Sequence, residues 1–411
     1  MMSRNPESPQ IFEGLRVVEY TESVSGAYCA RLLGDAGADV VKVEDPSGDS
    51  VRLRGPFPGD SSDPNFSGLF LYLNYNKRGI TAKIDSIKGR EIVLKLLKNA
   101  DILVLSGSAP QLDRLQLYHS DLKKLNPSLI VTAITPYGLT GPYRDYTGDD
   151  LTAINHGGLA YVTPGLPDVI TGSENEPPLR ANTFISDIEA GIQGASATLL
   201  AIINRLFTGK GDQVDLSVHS AVAAMLTFET SQAVYNVPNN REPRTFGIQP
   251  NVYMPCKDGY VVIAAWMPAS WNRLKKVMGN PDWADSEVFI DQYERARNWD
   301  ALYPLLLDWT MTQSGEEILR KARITGLPAF PVYTVKQIVQ SEHLRDRGFW
   351  VYSEGPDQRI QLPGYPAVMS ETPWRFRRPA PNIGEHTSAI LQDELGYSRK
   401  DIHAMSIDGV V

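Results

Sequence analysis

Residues 14–44 read GLRVVEYTESVSGAYCARLLGDAGADVVKVE, and the order of their apolar runs decides the fold class. Positions 15–20 form a short β-rich run, 28–33 place apolar residues at helical spacing, and 40–44 return to Val-rich sequence, with Gly34 and Gly37 marking the turn between. Strand, helix and strand within roughly 30 residues make a βαβ unit, whose crossover helix forces the two strands to run parallel. The alternation recurs with a helical pattern at 92–97 and strand-like runs at 101–105 and 129–134. The expected fold class is therefore α/β, with a Rossmann-like large domain on a mostly parallel sheet.

Further along, 186–206 reads as one long helix stopped by Thr208-Gly209, followed by a strand-like 213–218 and a helix to about 234. Residues 238–250 are rich in Pro, Asn and Arg, and 253–266 predict an antiparallel element turning at Lys257-Asp258-Gly259. The organisation expected is a large domain over 1–210, a linker helix over 211–239, a smaller α+β domain over 240–325, and a tail over 326–411 with short strands and a last helix near 387–395. No internal repeat appears.

Composition narrows the function classes. A chain of 411 residues with 42% hydrophobic and 21% charged residues can bury more than one core. The formal net charge of -8 and the lack of a basic block argue against nucleic acid as a partner. The first ten residues carry no apolar stretch, and the longest apolar run, near 197–203, is far short of the ~20 residues that span a bilayer, so a cytoplasmic protein without membrane association is expected. Cys29 and Cys256 form no disulfide or zinc pattern, the six histidines are scattered, and no metal is expected. There is no Walker A loop, HExxH, GxSxG or clean GxGxxG, which disfavours ATP-driven activation and nicotinamide chemistry.

The most informative stretch for chemistry is PLRANTFISDIEAGIQG at 178–194. Asp187 opens a helix whose next turns repeat small residues, Ala190, Gly191, Gly194 and Ala195. Glycine costs ~1 kcal/mol inside a helix, so two of them imply close approach by another backbone or by a ligand. Asp187 has two readings: a helix cap with small residues for helix packing, or a carboxylate nucleophile kept ionised by the helix N-terminus. Lys42, Arg52, Arg54, Lys77, Arg78 and Arg114 follow successive predicted strands. They are either solvated surface charges or the cations that a polyphosphate ligand needs at the carboxyl ends of a parallel sheet.

Eight blocks then fall in order: GLRVVEY (14–20), LLGDAGADVVKVEDPSGDSVR (32–52), NYNKRGI (74–80), PYGLTGPY (136–143), SDIEAG (186–191), RLFTGKGDQVDLSVHSA (205–221), GLPAFPVYTVKQI (326–338) and GEHT (384–387). Together they resemble the class III CoA-transferases, the CaiB/BaiF or formyl-CoA transferase family, along essentially the whole chain. The resemblance implies that Asp187 is the catalytic nucleophile. It also implies that coenzyme A lies in the Rossmann-like domain against Val24, Ser25, Asn74, Tyr75, Asn76, Lys77, Ser106, Gly107, Ser108, Arg114, Thr135, Pro136 and Tyr137. Coenzyme A or acyl-CoA would be substrate, with no permanently bound cofactor, and succinyl-CoA is the expected donor to a carboxylic acid acceptor.

The same resemblance implies an interlocked homodimer, with a heteromer as an alternative, and a return segment over 326–411 that completes the large domain. Three departures matter. Ser106-Gly107 replaces an Asn-aromatic pair, Thr135 replaces a lysine of formyl-CoA transferase, and 244–250, with only Gly247, replaces a glycine run, which argues against oxalate and formyl-CoA. Two alternatives stand beside the transferase: a racemase of the α-methylacyl-CoA type and a non-catalytic acyl-CoA-binding subunit. The racemase would use a His/Asp pair, but Asp149 in Gly148-Asp149-Asp150 stands where that histidine would be, and an unperturbed carboxylate suits an α-proton less well.

Overall fold

The computed structural model describes residues 8–59, 62–163, 181–235, 249–354 and 359–411. Its first half alternates strands and helices as the sequence predicts: β1 (Arg16–Tyr20), α1 (Val24–Asp35), β2 (Asp39–Glu44), α2 (Gly68–Asn74), β3 (Lys77–Thr81), α3 (Ile87–Lys98), β4 (Ile102–Ser106), α4 (Ala109–Leu115), α5 (His119–Leu122), β5 (Ile130–Thr135), α6 (Asp150–His156), α7 (Leu159–Val162), α8 (Ile185–Thr208) and β6 (Gln213–Ser217). The six strands form one parallel sheet in the order β3-β2-β1-β4-β5-β6. Every residue of β4 and β5 is buried, which is why these strands read as continuous apolar runs rather than alternating ones. The strand order reverses between β1 and β4. In a doubly wound sheet the crossovers part there, leaving a crevice outside the carboxyl ends of the strands.

The chain divides into two compact units, the first comprising Met1–Ala160, Arg180–Leu226 and Asp346–Val411, and the second Tyr161–Leu179 and Thr227–Arg345. In the first, α8 packs along α1, and the two glycines of its opening turns have a physical cause. A Cβ on Gly191 would lie 2.9 Å from the Ser25 carbonyl oxygen and 3.0 Å from the Tyr28 ring, and one on Gly194 would lie 3.0 Å from Ile134. The close approach is thus by protein. The C-terminal segment is stitched onto β3: Thr81 N donates to Thr387 Oγ1, Asn76 Nδ2 to the Arg375 carbonyl, and Lys83 N to the Val410 carbonyl.

The second unit holds the expected hairpin, β7 (Asn251–Cys256) with β8 (Gly259–Ala264), over a core of Trp271, Leu302, Leu306 and Ile318. Three particulars differ from the sequence reading. Gln213–Ser217, expected as strand-like, pairs with β5 as an edge strand, which carries the first unit past 210 to Leu226 and leaves helices only at Val218–Ala224 and Thr227–Val234 within 211–235. β9 (Ala329–Pro331) adds a third strand to the hairpin sheet, which carries the second unit to Arg345 rather than 325. A helical segment stands near 387–395 as expected, Thr387–Ala389 running into a π-helical Ile390–Glu394, but the last helix is Arg399–Ile407, started by a Ser398 to Asp401 capping box and burying Ile402 and Met405. Of the segment 244–250, the expected counterpart of a glycine run, residues 244–248 lie outside the described residues. No helix among the described residues is long and apolar enough to cross a membrane.

Candidate active site

A cavity of about 660 Å³ opens at the carboxyl ends of β1, β4 and β5, at the point where strand order reverses. Its wall includes Glu22, Ser23 and Ser25 after β1, Ser106, Gly107 and Ser108 after β4, Thr135 and Pro136 after β5, Gln111 and Arg114 of α4, Asp149 before α6, and Asp187 of α8. Glycine is required at 26 for α1 to reach this edge. A Cβ there would strike the Thr21 methyl at 2.7 Å and Ser106 Cβ at 2.8 Å.

Asp187 is the third residue of α8, in its first turn, half-buried in the cavity wall. It does not cap the helix, since Phe184 stands at that position without a side-chain bond. Burial pushes its carboxyl up to about 6. Hydrogen bonds from the Ser25 hydroxyl and amide act against that rise, the neighbouring Asp150 adds to it, and Arg54 opposes it. The result is a carboxylate that is ionised at neutral pH yet more basic than an exposed aspartate, which suits a nucleophile. Ser25 is set in place by Ser23, whose hydroxyl lies 2.9 Å from that of Ser25 and accepts the Gly26 amide at 3.1 Å.

Of the residues predicted to hold coenzyme A, the structure brings Ser25, Ser106, Gly107, Ser108, Arg114, Thr135 and Pro136 to this cavity together with Asp187. Arg114 is the only cation in the wall among the described residues, and it is exposed. Ser106 is 8% exposed and its hydroxyl has no hydrogen-bond partner among the described residues. Gly107 takes a φ of +149°, a conformation in which an aromatic side chain, as in the family's Asn-aromatic pair, would be strained.

The remaining predictions need correction. Val24 is core, packed with Ala27, Phe70 and Tyr75. Asn74, Tyr75, Asn76 and Lys77 are all buried and turned inward. Asn74 Oδ1 accepts Lys77 Nζ at 2.8 Å, Tyr75 Oη bonds Arg31, and Asn76 donates to Asp35 at 2.8 Å while its Oδ1 accepts the Arg377 amide at 2.6 Å. Tyr75 and Asn76 thus fasten the returning C-terminal segment, Asn74 and Lys77 bond within the N-terminal part of the sheet, and the φ of +65° at Asn76 favours asparagine. Tyr137 stacks edge-on with His156 and Tyr146 outside the cavity wall.

Lys42, Lys77 and Arg52 are fully buried in ion pairs: Lys42 with Glu19 at 3.0 Å and Asp49 at 2.7 Å, Lys77 with Glu19 at 2.7 Å, and Arg52 with Glu44 at 2.7 Å. Burial pushes Lys77 down to about 8 despite Glu19. Arg78 is held by Asp39 and Glu394. Glu22, Asp85 and Gln111 line the cavity without having been expected there, and Thr147–Asp149, considered only as the place of a missing histidine, line it too, with Asp150 behind Asp187. The Asp149-Asp150 pair was noted only for what it lacked; a double aspartate at a helix start was the available signal.

The chain matches CoA-transferase family III over residues 12–387, and it belongs to that family. Among its relatives, the succinate–glutarate CoA-transferase of Agrobacterium fabrum is 29% identical over 404 residues, covering 95% of this chain and 98% of that protein. The succinyl-CoA:mesaconate CoA-transferase of Haloarcula hispanica is 30% identical over 394 residues, covering 93% and 96%. A CaiB/BaiF family protein from Brucella suis has the same fold, with a TM-score of 0.82 at 28% identity, covering 93% of this chain and 98% of that one. The chain is a class III CoA-transferase.

Proposed function

We propose that this enzyme moves coenzyme A from succinyl-CoA to a second carboxylic acid, dicarboxylates of the kind named for its relatives being the first to test, through covalent intermediates on Asp187. The observation that carries the reading is the Asp187 carboxylate, raised in basicity and held by Ser25, in the wall of a cavity at the switch point of the sheet. Its Oδ attacks the thioester carbonyl, the C–S bond breaks, and the thiolate of coenzyme A leaves while a mixed anhydride forms. The thiolate then attacks Asp187 Cγ, expelling succinate and leaving an aspartyl-CoA thioester. The acceptor carboxylate opens that thioester to a second anhydride, and coenzyme A attacks its acyl carbon to release the new acyl-CoA and regenerate Asp187. An anhydride is at least as energy-rich as a thioester, so no ATP is consumed. The Ser25 amide and hydroxyl supply donors beside the developing oxyanion.

Ser106–Ser108, Arg114 and Thr135–Pro136 form the coenzyme A wall in this reading, and Arg114 meets its phosphates. The racemase alternative loses ground because an aspartate stands where its histidine would be, and that Asp149 carboxylate is engaged as the cap of α6, accepting the Thr152 amide at 2.9 Å. The enzyme works as a homodimer in the cytoplasm without a resident cofactor. The exposed apolar face of α8, Leu199, Leu200, Ile203, Leu206 and Phe207, supports pairing with a second copy. Incubation with a panel of acyl-CoAs, trapping with hydroxylamine or borohydride, and peptide mass spectrometry test the mechanism. The expected result is a mark on Asp187 with succinyl-CoA that Asp187→Asn abolishes. Turnover without a mark on Asp187, or deuterium exchange into a branched acyl-CoA in place of transfer, overturns it.

A further inference from the structure

Helix α8 begins without a side-chain cap of its own, and the acceptor for its first turn comes from another element. Asp150, the first residue of α6 and 6% exposed, accepts the Ser186 amide at 3.0 Å and the Ser186 hydroxyl at 2.6 Å. Ser186 is fully buried and immediately precedes Asp187. The two adjacent aspartates therefore divide their work. Asp149 closes its own helix through Thr152, and Asp150 closes the helix that carries the reacting carboxylate.

We propose that Asp150 is a positioning residue for Asp187: its bonds to Ser186 fix the first turn of α8, and its negative charge beside the reacting carboxylate favours conversion of that carboxylate into a neutral acyl form. The inference rests on Asp187 being the nucleophile. When the Asp187 Oδ–acyl bond forms and the C–S bond breaks, the negative charge leaves on the thiolate and the aspartate side chain becomes neutral. Two neighbouring anions become one, so repulsion present before the step is relieved by it. Among the described residues, other charged groups around Asp187 are Arg54, which opposes Asp150, and, around the cavity, Asp149, Glu22, Asp85 and Arg114. Tyr28 of α1 packs beside Gly191, one turn further along α8. Burial and then Asp150 raise the Asp187 carboxyl, against the hydrogen bonds of Ser25.

The test is the pH dependence of single-turnover labelling of Asp187 by succinyl-CoA, followed by mass spectrometry in the full-length enzyme. Asp150→Asn keeps an oxygen acceptor for Ser186 but removes the charge. The acid limb of the labelling profile is expected to move down by roughly one pH unit, with a lower plateau rate because a less basic carboxylate is a weaker nucleophile. Ser186→Ala keeps the charge and loses the hydroxyl bond, so the limb stays in place while the plateau rate falls roughly three- to tenfold. This second variant also decides the positioning role if the first does not fold. An acid limb unmoved in Asp150→Asn, or a plateau unchanged in Ser186→Ala, overturns the proposal while labelling of Asp187 in the parent enzyme still stands. Absence of any label on Asp187 in the parent enzyme fells both readings together.

Discussion

Two ends of the same parallel sheet both place polar residues after their strands and put them to different work. At the β1-β2-β3 end, Glu19, Lys42, Asp49 and Lys77 are sealed from solvent and neutralise one another, two acids against two bases. At the β1-β4-β5 end, serines and a threonine of modest polarity border an open cavity whose wall holds Asp187 and Arg114. Position after a strand in a parallel sheet thus marks a ligand site only where no other segment closes the edge. Here the returning C-terminal chain closes the first end: Arg52 Nη2 donates to the Pro381 carbonyl at 2.9 Å and Gly79 packs against Pro381. The topological switch between β1 and β4 leaves the second end open.

The comparison can be broken most forcefully at Glu19. Glu19→Gln leaves Lys42 and Lys77 short of their shared carboxylate in a fully buried setting, and a loss of about 3–5 kcal/mol is expected in urea unfolding. Coenzyme A affinity of whatever protein remains folded should be unchanged. A variant of parental stability that binds acyl-CoA poorly would return the lysines to the ligand. Next in size is Gly191→Ala, whose Cβ would press on the Ser25 carbonyl at 2.9 Å. A cost of about 1–3 kcal/mol is expected, with slower labelling of Asp187, because Ser25 must move with the backbone it shares.

Asp187 itself sharpens the contrast between stability and function. Its folded carboxyl titrates near 6, above the ordinary aspartate value. Between these two values the folded chain holds a proton that the unfolded chain has released, so this group's contribution to stability falls as pH rises through that window and stays unfavourable above it. Asp187→Asn should therefore raise the unfolding midpoint at pH 7.5 by roughly 2 °C, and by less below pH 5, while abolishing the covalent mark. A lower midpoint at pH 7.5 would mean that the Ser25 hydrogen bonds outweigh the burial of the charge.

The parallel sheet was legible because βαβ periodicity is local; Asp187 was singled out by the family resemblance, since its own residues allow a helix cap as readily as a nucleophile, and the two glycines after it answer to packing on protein. The return of the C-terminal segment to the large domain was implied by the resemblance; what could not be read was which strand ends it closes. Lys42 and Lys77 look the same in sequence whether they face a phosphate or Glu19, and the partner that seals their end lies some 300 positions away, at Pro381 to Thr387. The role of Asp150 was hidden for the same reason, since its partner Ser186 is 36 residues along the chain. Asn74–Lys77 belong to a block that carried the resemblance, and here their side chains bond inside the protein, those of Tyr75 and Asn76 reaching the returning C-terminal segment.

Two smaller effects test the open end. Arg114→Met should raise KM for acyl-CoA about tenfold through loss of a charge-assisted phosphate contact, with more loss at low salt than at high and no change in unfolding midpoint, since Arg114 is exposed.

Ser106→Ala is the mildest change and the most discriminating. The Ser106 hydroxyl is nearly buried at the carboxyl end of β4, where its side chain meets Gly26 and the cavity, and it has no hydrogen-bond partner among the described residues. A buried polar group without a partner costs stability, so its removal should leave the fold unchanged or slightly stabilised in thermal unfolding. If that hydroxyl completes its bonding only when acyl-CoA arrives, the same substitution should raise KM by roughly two- to fivefold with kcat preserved, because an interaction made equally in the ground and transition states is lost. A destabilised variant with unaltered KM would place Ser106 with the sealed end of the sheet, as a structural group, and would move the coenzyme A wall toward Ser108 and Arg114.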